Sequence, residues 1–339
     1  VAEYDMHRVP LLAALVLTSA LFTSCLPPAV AFQPGQTLDP AALGPNNAAT
    51  EWWYVSGYLP DTQQAFHWAQ FKVNYRGLPY YAAHIAVTDL NTGKVTFLEQ
   101  GKQDAAFSFP PLNVRQADWT LIQQASGNTA PFALNAGPLH LTLTPQKNPV
   151  VHPPGYSGTP ETGQLYYQSV TRLGVSGTIA GQPASGTAWL DHQWGDQQPG
   201  RSALWDWFGV HLSNGSDLML YRVRTLDGRV VQLAGSEVGA DGVAREVGNV
   251  TMTPARSWKA PSGRSYAIDW TVTSERGSVT LRAVHDDQEL LSKTTSVAYW
   301  EGPVQGEGQW GGAAVTVQGM GEFVGGPLTK AEGGTFGAK

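Results

Sequence analysis

From residue 51 to residue 323 the chain repeats one device: short runs in which apolar or aromatic residues alternate with polar ones, each cut off by Gly, Pro, Asn or Asp. A period of two gives a strand two different faces and does not fit the 3.6-residue period of an amphipathic helix. The runs cover 51–59, 66–75, 80–89, 119–124, 139–144, 164–174, 177–179 and 185–194, then 207–212, 217–225, 230–234, 265–273, 278–284 and 315–323. Hairpin signals stand at Asn91-Thr92-Gly93, Asn214-Gly215, Asp227-Gly228 and Asp241-Gly242. Past the N-terminal segment no stretch keeps a helical apolar period. The pattern predicts an all-β protein, with strands at the spacing of sandwiches or barrels.

The N-terminus reads as an export signal. Val1–Asp5, read as a start-site extension, precede Met6; His7 and Arg8 follow, then an apolar run over 9–22 too short to cross a bilayer comfortably. Two processing sites compete. Phe22-Thr23-Ser24-Cys25 resembles a lipobox with Cys25 as the lipidated residue, whereas Ala29-Val30-Ala31 fits ordinary cleavage before Phe32. The expected location is secreted or cell-envelope, with a lipid anchor as the sole membrane attachment. Cys25 is the single cysteine, so disulfides cannot stabilise the processed chain and an apolar core must do so. Length suggests two β domains after the signal at 1–31, namely 32–182 and 183–339, with the proline-rich stretch 145–162 as a linker or long loop. A net charge of −6 without a basic run excludes nucleic acid and electrostatic membrane binding.

One stretch concentrates charge among large aromatics in a chain with only 14% charged residues. It runs from Gly186 to Gly195 (Gly-Thr-Ala-Trp-Leu-Asp-His-Gln-Trp-Gly) and is followed by Trp205-Asp206-Trp207-Phe208. As a strand, it places Ala188, Leu190, His192 and Trp194 on one face and Thr187, Trp189, Asp191 and Gln193 on the other. Carboxylates and imidazoles among indoles have shifted pKa values and suit an apolar ligand. Metal, thiol, Gly-x-Ser-x-Gly and phosphate-loop chemistries find no motif. His140, His152, His192 and His211 lack ligand spacing, so neither metal nor cofactor is expected. Paired-carboxylate glycosidase chemistry on Asp191 and Asp206 has no further support. Plainer roles stand beside these: His192 as a core histidine, the tryptophans as packing, and Glu51, Arg172 and Glu301 as ion-pair or strand-end residues.

Six landmarks in order make the chain resemble the AttH and carotenoid 1,2-hydratase group of lipocalin-like proteins. They are Glu51-Trp52-Trp53-Tyr54 with Ser56-Gly57, Tyr166-Tyr167 with Ser169 and Thr171-Arg172, the segment Gly186–Gly195, Trp205–Phe208, Asp287-Gln288-Glu289 and Tyr299-Trp300-Glu301-Gly302. The resemblance implies two lipocalin-like β-barrels packed together, with an apolar ligand site near their junction. Its members include hydratases of acyclic carotenoids, pericyclase relatives and lipoproteins from ABC-transporter operons, so an ABC-transporter partner is one expectation. Two functions follow from different classes: a carrier of an isoprenoid, carotenoid or lipid, and a hydratase adding water to a C=C bond. Hydration needs a proton donor, a π-face for the cation and a positioned water. The resemblance assigns His192 and Trp194 to these roles, with Tyr221 as the matching tyrosine. The family's acid has no match, since Arg222, Val223 and Arg224 follow Tyr221, and Asp206 is the substitute. Glu51, Trp53, Trp189, Asp191, Trp205 and Trp207 are the expected ligand-binding residues.

Overall fold

The computed structural model describes residues 32–75, 78–102, 104–198 and 200–334. The expected signal segment and Cys25 lie outside the described residues. The first sheet is built from β1 (Thr50–Leu59), β2 (Gln64–Tyr75), β3 (Leu78–Asp89), β4 (Val95–Lys102), β5 (Ala106–Ser108) and β6 (Asn113–Gln116). It continues through β7 (Trp119–Gln123), β8 (Phe132–Ala136), β9 (Leu139–Pro145), β10 (Val150–Thr159), β11 (Gly163–Ile179) and β12 (Gln182–Gly195). Its order is β4-β3-β2-β1-β12-β11-β9-β8-β7-β6-β5, with β10 paired to β11 beside that path.

The second sheet comprises β13 (Leu204–Leu212), β14 (Asp217–Arg224), β15 (Val230–Val238), β16 (Ala244–Glu246) and β17 (Thr251–Lys259). It is completed by β18 (Ser265–Ser274), β19 (Gly277–Ala283), β20 (Glu289–Ser292), β21 (Val297–Trp310) and β22 (Ala313–Pro327). The order is β16-β15-β14-β13-β22-β21-β19-β18-β17, with β20 on β21. Every pairing is antiparallel, and the described residues contain no α-helix. The protein is all-β, two strongly curled half-barrels. The chain passes from one sheet to the other between Gly195 and Leu204, beyond the division expected near residue 182.

All four turn signals sit between paired strands, and Gly93, Gly215, Gly228 and Gly242 take positive φ there. The stretch 145–162 is not a plain linker, because β10 lies within it. That strand pairs only with β11, and its ladder is interrupted between Val151 and Tyr156 where Pro153 and Pro154 sit. Proline has no N–H to give to a ladder, which fits the interruption at these two positions.

Each half-barrel wraps its own core: Trp53, Val55, Trp68, Ile85, Leu121 and Leu190 in the first, and Phe208, Trp270, Trp300, Trp310 and Phe323 in the second. A third apolar layer lies between the sheets and includes Trp52, Tyr54, Trp189, Trp207, Tyr221 and Met320. The central pair β1 and β12 is therefore covered on both sides, and every residue of β1 is buried. Polar cross-links tie the sheets together. Arg172 Nη2 and Lys147 Nζ lie 2.5 and 2.7 Å from Asp217, and Thr88 donates to Gln288 at 2.7 Å.

Candidate functional site

Register on β1 and β12 decides which side chains meet. Trp53 lies opposite His192 and Tyr54 opposite Asp191, so strand parity sends two different sets of polar groups to two faces. The face turned into the first half-barrel carries Glu51, Trp53, His192 and Trp194. Trp53 stacks on the His192 ring at 4.8 Å and 9°, and Trp194 stacks on it at 4.6 Å and 27°. His192 Nε2 donates to Glu51 Oε1 at 2.9 Å, while its Nδ1 takes a hydrogen from Gln168 Nε2 at 2.9 Å. Glu51 also receives Lys72 Nζ at 2.9 Å and the Asn46 backbone N–H at 2.8 Å. Burial pushes the His192 pKa down, against the opposing pull of Glu51. The group is neutral, satisfied on both nitrogens and enclosed.

The opposite face opens on a cavity of about 540 Å³ between the two sheets. Its walls are Trp52, Tyr54, Tyr167, Trp205, Trp207 and Tyr221, and its polar groups include His67, Asp191, Glu301 and Glu322. Trp52 and Trp205 stack across the sheets at 6.0 Å and 14°. Asp191 accepts hydrogens from Trp189 Nε1 at 2.5 Å, Tyr167 Oη at 2.9 Å and the Ser169 hydroxyl. Trp207 Nε1 in turn donates to Tyr167 Oη at 2.6 Å. Burial raises the Asp191 pKa to about 7 in spite of these three donors, which favour the charged form.

Glu301 and Glu322 face one another across β21 and β22. Tyr54 Oη donates to Glu301 Oε1 at 2.5 Å, His67 Nδ1 lies 3.2 Å from Glu301 Oε2, and Trp205 Nε1 donates to Glu322 at 3.1 Å. Burial first, and then the charge of Glu322, raise Glu301 well above the carboxylate range. Burial raises Glu322 to about 7. Burial and the neighbouring charge thus favour the protonated form of Glu301, and Glu322 is part protonated near neutral pH, which suits the pair to act as an acid.

Of the residues expected from the sequence, Asp191, Trp205, Trp207 and Tyr221 line the cavity, and Trp189 touches it through its bond to Asp191. The others lie elsewhere. His192, Trp194, Glu51 and Trp53 belong to the closed face, so the expected acid/base and cation-stabilising pair does not reach the cavity. Asp206 is held by Arg222 at 2.8 Å and Arg224 at 3.0 Å and is likewise not in the lining, so it does not replace the missing acid there. Sequence reasoning passes over Tyr54, His67, Tyr167 and Glu322, and reads Glu301 as an ion-pair or strand-end residue. The signal for Tyr54 was available, because it shares the parity of Trp52. His67 required the β1–β2 register, which sets it opposite Ser56. Among the described residues no cluster of His, Cys, Asp and Glu is arranged for a metal ion.

Comparison with known proteins agrees with this architecture. A family model described as AttH-like matches residues 33–326. No curated protein matches the chain significantly. A solved structure described as a putative AttH from Nitrosomonas europaea is 26% identical, with a TM-score of 0.73, over 88% of this chain and 99% of that one. Kievitone hydratase from Nectria haematococca superposes with a TM-score of 0.66 at 15% identity, over 86% of this chain and 93% of that one. CghA with Sch210972 gives a TM-score of 0.57 at 15% identity, over 88% and 95%. The last two likenesses concern the fold alone.

Proposed function

The chain belongs to the AttH-like family, and from that premise we propose that its inter-sheet cavity takes up an apolar, unsaturated ligand of the isoprenoid, carotenoid or lipid class. The observation that carries this is the cavity itself: about 540 Å³, walled by indoles and phenols from both half-barrels. A space of this size and lining suits a small hydrophobic molecule. Carriage for an envelope transporter would require nothing more.

A second reading, a hydro-lyase acting on a C=C bond, is favoured by the buried acids. A protonated Glu301 or Glu322 can give its proton to one alkene carbon while the π pair forms the new C–H bond. The cation left on the neighbouring carbon lies among the Trp52, Trp205 and Trp207 faces and opposite Asp191, whose three donors suit it to bear charge. Water then bonds to that carbon and its proton returns to the carboxylate. The chemistry matches the kind of activity named for kievitone hydratase, a protein of the same fold. In this scheme the acid comes from Glu301 and Glu322 rather than His192.

The test is to incubate the purified protein with acyclic isoprenoids and examine solution and protein-bound fractions by mass spectrometry. A product heavier by one water, lost in Glu301→Gln and Glu322→Gln, supports the hydro-lyase. Ligand retained unchanged supports the carrier. If no apolar ligand is retained or converted, both fail.

A further inference from the structure

Glu301 and Glu322 both line the cavity, but strand position and exposure separate them. β22 runs between β13 and β21, so Glu322 stands on a central strand with no edge to open solvent. Parity turns Met320, Glu322 and Val324 toward the first sheet, while Phe323 packs into the core of the second half-barrel. Met320 and Val324 are only 3% and 2% exposed, whereas Glu322 between them stays partly exposed. The space that exposes it is the cavity it lines. Glu301, opposite on β21, is 3% exposed and gives its Oε1 to Tyr54.

The hydrogen bonds of Glu322 decide what it offers there. Trp205 Nε1–H donates to Oε1 at 3.1 Å, and an indole N–H can only donate. Oε1 is therefore the accepting oxygen, and the carboxyl proton falls to Oε2. Among the described residues no group bonds to Oε2, and that oxygen is not sealed off. The titratable groups facing Glu322 are Glu301 and Tyr299 from β21, Asp191 from β12, Tyr54 from β1 and His67 from β2. β13 adds its indoles Trp205 and Trp207, the latter directly opposite Glu322. Burial keeps the His67 ring neutral, so none of these groups holds Glu322 in its charged form.

We propose that Glu322 Oε2–H is the hydrogen-bond donor that the cavity presents to its ligand, so that the site prefers apolar molecules carrying an acceptor oxygen over plain hydrocarbons. This rests on the cavity being the ligand site, and names the group that meets the ligand and the class of molecule it favours. In the hydro-lyase reading the same oxygen is the acid. Its proton goes to one alkene carbon as the π pair forms the C–H bond, the cation lies beside Trp205 and Trp207, and the water that captures it returns a proton to Oε2.

The test compares geranylacetone with its isostere bearing a methylidene group in place of the carbonyl. Both are titrated into the protein at pH 5 and pH 8.5, following tryptophan fluorescence. Burial raises Glu322 to about 7, so Oε2 carries its proton at the lower pH and has lost it at the higher. Asp191 titrates in the same range, and the ratio of the two dissociation constants cancels what acts on both ligands alike. In wild type that ratio should favour the ketone about tenfold more at pH 5 than at pH 8.5, the scale of one buried hydrogen bond. In Glu322→Gln, Trp205 claims the amide oxygen and an amide N–H replaces Oε2–H. The ratio should then stay at the wild-type pH 5 value at both pH values. A wild-type ratio that ignores pH overturns the assignment and needs no variant. A Glu322→Gln ratio that still moves with pH, or that rests at the wild-type pH 8.5 value, overturns it too, and in each case the cavity reading stands. Failure of both ligands to bind wild type at either pH overturns the cavity reading and the Glu322 site with it.

Discussion

The two faces of the β1–β12 pair carry polar groups of the same kinds and put them to opposite uses. On one face Glu51, His192 and Lys72 form a closed cluster in which both imidazole nitrogens are bonded and the carboxylate is surrounded by donors. On the other, Asp191, Glu301, Glu322 and His67 line the inter-sheet cavity among aromatic side chains, with carboxyl pKa values driven up by burial. The difference is one of surroundings rather than residue type. An enclosed network fixes structure, and polar groups that line a cavity are placed to meet a ligand.

The comparison breaks most visibly if the closed face tolerates damage. Glu51→Leu removes the acceptor of His192, Lys72 and Asn46 together and should lower the unfolding free energy by about 3–5 kcal/mol in urea titrations at pH 7, the cost of stranding buried partners. Glu322→Leu should cost far less, because it removes an acid from a site that already disfavours its charge. Equal losses from the two substitutions would erase the contrast.

A smaller effect sharpens it. Glu322 titrates near 7 in the folded protein against an ordinary value of 4.5, so the native state holds this proton more tightly than the unfolded chain does. Its contribution is fully present below about pH 4.5 and is lost as pH rises through about 7. Between pH 5 and 8.5 the wild type should therefore lose on the order of 2 kcal/mol more stability than Glu322→Gln, whose amide does not titrate. Urea titrations of both proteins at the two pH values measure the difference. Parallel profiles would mean that Glu322 sits in water.

The fold was largely legible because alternation survives wherever one strand face is wetter than the other. Nine strands fall outside the runs read from the sequence, namely β4, β5, β6, β8, β10, β16, β17, β20 and β21; β5 and β16 have only three residues and the β10 ladder is broken at its prolines, which leaves little periodic signal there. Parity also separated His192 from Asp191 correctly. What it could not supply was which face looks onto the second sheet, because both faces of β12 are buried and both carry tryptophan. Glu301 and Glu322 were obscure for another reason. Glu301 meets Tyr54 and His67 across more than 230 residues of sequence and Glu322 meets Trp205 across 117, contacts that depend on how two sheets pack and not on any local spacing.

The most direct measurement is a crystal structure of the protein soaked with geranylacetone. Ligand density between Trp52 and Trp205, reaching Glu322, is the expected result. Density against Trp53, His192 and Trp194, with the inter-sheet cavity empty, would contradict the assignment of the two faces.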